Sequence, residues 1–119
     1  MEYKIKISEI FVEQITEVLN YMDITLNELN ASNKIRKKLM ESFNRIKRFP
    51  KSYPQIGKKD RFNRSYRKII IYNYVILYTI IEEDKTVFIS NMYYHRRDYL
   101  NWYFIKIKIN TISNKIIKL

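Results

Sequence analysis

The sequence predicts an α+β fold: an N-terminal strand, then an antiparallel helical hairpin packed on a four-stranded, mostly antiparallel sheet. Three observations predict it. Residues 2–7 alternate apolar and polar, the period of a strand with one buried face. Two segments, between Ser8 and Pro50, repeat apolar residues at helical spacing. From residue 66 onward come three short β-branched and aromatic runs separated by turn residues. The 119 residues fit one domain, and a hydrophobic content of 46% supports a small core.

In the first strand Tyr3, Ile5 and Ile7 make the buried face against Glu2, Lys4 and Lys6. Ser8 is placed to cap the next element, and Glu9 suits a helix N-terminus. Phe11, Ile15, Val18, Leu19 and Met22 form the stripe of a helix over about 9–23, with Glu13 and Glu17 opposite. Residues 24–30 read as a connection, and Asn30 as the N-cap of a second helix. Its stripe is Ala31, Ile35, Leu39, Phe43 and Ile46, with Lys34, Lys37, Lys38, Arg45 and Arg48 outside it. Pro50 ends it, because proline disfavours helical geometry in the residue before it. Residues 50–65 hold both prolines and the only glycine and read as a loop. Strands follow over 66–72, 74–81 and 86–94, with Asn73 and residues 82–85 as turns. Ile69 to Ile71 and Val75 to Leu77 are too apolar for exposed strands, so 74–81 is expected to be central and covered on one face by the helices. Tyr72, Tyr74 and Tyr78 read as sheet packing. In the tail, Ile105, Ile107 and Ile109 alternate with lysines as in a strand, whereas Ile105, Ile109, Ile112 and Ile116 fit a helical face. The β-branched content favours the strand.

Composition excludes several chemistries. The chain has no cysteine, so disulfides, thiolate zinc sites and a cysteine nucleophile are absent. One glycine excludes a Gly-rich phosphate loop, and one histidine excludes a multi-histidine metal site. No cofactor and no metal are expected. Neither a signal peptide nor an apolar run of membrane-spanning length is visible, which makes the cytoplasm the expected location and no membrane the expected partner.

The net charge of +11 is unevenly spread. Residues 1–30 set two lysines against six acids, a balance of −4. Residues 31–68 set 14 basic groups against two acids, a balance of +12. The middle third is the electrostatic footprint, and polyanions or an acidic protein are its natural partners. Two stretches stand out. Lys58, Lys59, Arg61, Arg64, Arg67 and Lys68 cluster just before the strands. Tyr93-Tyr94-His95-Arg96-Arg97-Asp98-Tyr99 closes the last strand and holds the only histidine. If the two meet in space, they form a cationic, aromatic concavity suited to phosphates and unstacked bases.

The element order, with Phe49-Pro50-Lys51-Ser52-Tyr53-Pro54, Arg67 to Tyr78 and Tyr94-His95-Arg96-Arg97-Asp98-Tyr99 in sequence, resembles the RelE/ParE superfamily of bacterial type II toxins. The resemblance covers about residues 3–100. It implies a toxin domain over 1–103, with 104–119 as an extension. It also implies a microbial-ribonuclease-like fold, growth arrest, and an acidic antitoxin that folds on binding. Operator DNA is then a ligand of the toxin–antitoxin complex. Three functions follow in order of expectation: ribosome-dependent cleavage of mRNA, inhibition of DNA gyrase without nuclease activity, and a non-toxic binding module. Cleavage would use His95 as acid or base, Tyr94 to stack or donate a proton, and Arg67, Arg96 and Arg97 on the phosphate. Lys58, Lys59, Arg61, Arg64 and Lys68 would grip RNA. The nuclease members begin the central strand with a phosphate-contacting arginine, where this chain has Val75.

Overall fold

The computed structural model describes residues 2–94 and 116–118. The chain forms β1 (Lys4–Ser8), α1 (Glu9–Asn20), a π-helical turn (Tyr21–Thr25), α2 (Leu29–Arg48), β2 (Gln55–Lys59) and β3 (Ser65–Ile71). β4 (Tyr74–Ile81), β5 (Thr86–Tyr94) and β6 (Ile116–Lys118) follow. Among the described residues these strands make one sheet in the order β2-β3-β4-β5-β1-β6. β1 pairs with β5 in parallel, and every other pairing is antiparallel. The α+β expectation holds, with two strands added. No helix among the described residues is long and apolar enough to cross a membrane.

β2 corrects the expectation of a loop over 50–65. Proline, glycine and charge hid it because it is an edge strand with an exposed, lysine-bearing surface. Its register shifts between Gln55 and Lys59, where Gly57 has a φ of 78°, the left-handed conformation that glycine enters freely. β6 lies against β1, so the end of the tail does join the sheet. Ile105, Ile107 and Ile109 lie outside the described residues.

Ser8 caps α1 as expected, its hydroxyl accepting from the Phe11 N–H at 3.0 Å. The same hydroxyl donates to the Ser90 carbonyl. Ser90 is the extra residue where the β4–β5 register slips, since Leu77 faces Asn91 and Tyr78 faces Ile89. One side chain therefore ties the helix start to the bulge in the sheet. α2 departs from its expected cap. It starts at Leu29 after Glu28, which makes no side-chain cap, and Asn30 lies inside the first turn. It ends at Arg48, before Pro50, with Phe49 out of helical geometry.

The core lies between the hairpin and one face of the sheet. Ile5, Ile7, Phe11, Ile35, Ile46, Ile69, Ile76, Val87 and Ile89 are all buried in it. On the opposite face Tyr66, Val75 and Leu77 form a smaller cluster with Ile56 packed against it. β4 is thus buried on both faces, more than the one-sided cover expected. Ile70 departs the other way: it is 50% exposed, because the alternation of β3 turns it away from the helices.

Tyr78 is fully buried on the helix side and donates to the Pro50 carbonyl at 2.7 Å. Burial pushes its phenol up to about 12, so it remains a donor at any physiological pH. Tyr78→Phe leaves that carbonyl without its partner. The expected loss is about 1–2 kcal/mol of stability at unchanged denaturant slope, read by urea unfolding. An unchanged midpoint would show that the hydroxyl does not hold the connection.

Candidate functional site

The antiparallel register decides which functional side chains meet. Tyr74 at the start of β4 faces Ile71 at the end of β3 and Tyr94 at the end of β5. Thr79, near the other end of β4, faces Tyr66 and Phe88. Tyr94 and the β2–β3 hairpin, with its basic cluster, therefore lie at opposite ends of the sheet. The five residue steps from Tyr74 to Thr79 span about 17 Å. His95, Arg96 and Arg97 lie outside the described residues. Tyr94, the last residue before them, does not join Lys58, Lys59, Arg61, Arg64 or Lys68.

The basic end is built from the β2–β3 hairpin, the C-terminus of α2 and the segment that joins α2 to β2. Lys58, Lys59, Arg61 and Arg64 are exposed, and Lys68 is half-buried. Arg45, Lys47 and Arg48 fill the last turn of α2, where cations suit the helix dipole. Arg67 also lies here, but it is committed: Nη1 donates to the Tyr53 carbonyl at 2.6 Å and the Lys51 carbonyl at 3.2 Å. It fixes the connection after α2 rather than standing open to a ligand.

The other end is apolar and aromatic. A groove of about 880 Å³ runs between the start of α2 and the tips of β3, β4 and β5. Met22, Leu29, Ile35, Tyr72, Tyr74 and Tyr94 contribute to its wall. Tyr94 is 50% exposed and meets Tyr74 edge to face, with ring centroids 5.6 Å apart. Tyr21, Ile24, Leu26, Leu29 and Tyr72 are also exposed around this end. Tyr72 is the residue that sequence reasoning missed. It sits in the β3–β4 turn at φ 54°, a left-handed conformation that costs a tyrosine on the order of 1 kcal/mol. A glycine or asparagine would suit that backbone better, so the ring serves the surface rather than the turn. Its position beside Asn73 was the available signal.

Val75, the position at which an arginine would serve a nuclease, has no exposed surface. It packs with Tyr66 and Leu77, between Ile70 and Tyr93 in the sheet register. Neither a phosphate nor water reaches it.

A family profile, the ParE toxin of type II toxin-antitoxin system, parDE, matches residues 5–99. No curated protein and no solved structure matches the chain significantly.

The turn beside the groove is held by one charge cluster. Arg36 Nη2 lies 2.5 Å from Asp23 Oδ2, and the Ser32 hydroxyl donates to Asp23 Oδ1. These bonds, Arg36 first and Ser32 second, hold the Asp23 carboxyl below the usual carboxylate range. A depressed folded-state value stabilises the fold above the unfolded pKa of about 3.9, and the gain is lost as pH falls through the folded value. Asp23→Asn lacks this titration. The stability gap between wild type and variant should close as pH falls from about 5 toward 2, read by urea unfolding at each pH. A gap that stays constant would show that the carboxylate is not held this way.

Proposed function

The chain belongs to the ParE toxin family of type II toxin–antitoxin systems, and from that membership we propose that it arrests growth by binding DNA gyrase, without cutting RNA. As a type II toxin it works against an antitoxin partner. The gyrase target and a cytoplasmic setting are parts of the proposal.

The observation that carries the reading is Val75. Phosphoryl chemistry needs a cation where charge develops on the phosphate. At this position the chain offers a fully buried aliphatic side chain in an apolar cluster. Arg67 on the neighbouring strand donates to two backbone carbonyls instead. The groove at the apolar end adds support. Exposed tyrosines around an apolar concavity suit a protein partner, since tyrosine is enriched among interface anchors and exposed apolar patches mark interaction sites.

Ribosome-dependent cleavage of mRNA is the second reading. The basic β2–β3 hairpin favours it, because a ribosomal target accounts for that charge directly. Under that reading His95, Tyr94, Arg67 and Arg96 would have to act without the hairpin cations beside Tyr94.

Expression of the toxin alone separates the two. The expected result is that DNA synthesis stops while messages stay intact, and that the purified chain inhibits supercoiling by gyrase. His95→Ala should arrest growth as the parent does. Leu29→Asp, which puts a charge on the groove rim, should weaken gyrase inhibition about tenfold or more. Early loss of translation with cut messages, or relief of arrest in a folded His95→Ala variant, would move the protein to the second reading.

A further inference from the structure

The basic end presents aromatic rings as well as charge. Two of the six phenylalanines are exposed there, Phe49 at 64% and Phe62 at 53%. Phenylalanine is normally among the more buried residues, and the Phe62 ring lies among cations. The guanidinium carbons of Arg61 and Arg64 lie 5.0 and 5.9 Å from the Phe62 ring centroid. Phe49 lines a separate cavity of about 710 Å³ with Arg45, Arg48, Lys51 and Glu82, where Arg48 pairs with Glu2 and Lys51 with Glu82.

The Phe62 turn is set before any ligand arrives. Asp60 is the only acid between Glu41 and Glu82, and its carboxylate is turned inward. Oδ1 accepts from the N–H groups of Phe62 and Arg64, at 2.8 and 3.0 Å, and Oδ2 accepts from the Tyr66 hydroxyl at 3.1 Å. The Asp60 N–H donates to the Arg64 carbonyl, closing the turn, and Asn63 takes the left-handed φ of 63°. The one negative charge is used inside the hairpin. Lys59, Arg61 and Arg64 make no ion pair among the described residues.

We propose that the β2–β3 hairpin binds single-stranded nucleic acid. Lys59, Arg61 and Arg64 contact backbone phosphates, and Phe62 receives an unstacked base. Phosphate contacts explain the charge, and base stacking explains the projecting ring. A duplex hides its base faces, which leaves the ring without a role. An acidic peptide would use the cations but not the exposed phenyl ring. The surface reads phosphates and base faces, so DNA and RNA strands are both ligands. The inference goes beyond the gyrase reading and does not depend on it.

The test is fluorescence anisotropy of the full chain with labelled strands of about 15 nucleotides, as DNA, as RNA and as a duplex. Both single strands should bind comparably and the duplex more weakly. Phe62→Ala should lower single-strand affinity about tenfold with the salt dependence unchanged. Arg61→Ala with Arg64→Ala should lower the slope of log affinity against log salt by about 1.4. Lys37→Ala with Lys38→Ala removes the same charge from α2 and should leave the slope unchanged. Circular dichroism checks that each variant is folded. Equal binding of the duplex with no effect of Phe62→Ala would overturn the proposal, as would no single-strand binding at low salt. No gyrase enters the measurement, so its failure is distinct from failure of the preceding reading.

Discussion

The hydrogen bond from the buried Tyr78 hydroxyl to the Pro50 carbonyl sets where the helical layer ends on the sheet. The chain must leave α2 at Pro50 and return as an edge strand at Gln55, and its backbone carbonyls need donors in between. The central strand supplies one from Tyr78, and Arg67 on the next strand supplies two more, to Lys51 and Tyr53. The Lys68 N–H adds a bond to the Pro54 carbonyl. Both the packing of the hairpin and the position of β2 depend on this set. It has a functional consequence as well. Arg67 is spent on the fold and is not held for a phosphate.

The same fold separates two kinds of surface. α2 begins at the aromatic groove and ends in Arg45, Lys47 and Arg48. β3 begins beside the basic hairpin and ends in the turn that presents Tyr72. Among the described residues, the basic hairpin and the aromatic groove therefore lie at opposite ends, because each long element spans the molecule and differs in character from one end to the other.

Much of this was legible in the sequence. The apolar periods of residues 3–7, 11–22 and 31–46 reported real buried faces, and Ser8 and Pro50 punctuated the helices where their chemistry demands. β2 was not legible, because an exposed edge strand has no buried face to impose alternation, and Pro54 and Gly57 imitate a loop. The start of α2 was missed because Glu28 leaves it without a side-chain cap, so there was no capping signal to read. Ile70 looked buried because apolar neighbours surround it in sequence, while the pleat alone decides its face. Composition shows that two basic clusters exist, whereas only register shows that the Lys58–Arg64 hairpin and Tyr94 occupy opposite ends of the sheet; His95, Arg96 and Arg97 lie outside the described residues.

This separation bears on how the protein meets its partners. The ends stand about 17 Å apart along β4, and the Debye length at physiological salt is about 8 Å. A ligand at the basic end therefore alters the electrostatic field at the groove only weakly. α2, β3 and β4 all run between the two ends, and of these β4 is buried on both faces and fixed by its partner strands. Such a strand has little freedom to shift. Under the two proposals above, a protein in the groove and a strand at the hairpin occupy separate ends, and two contacts made on one assembly act at high effective concentration.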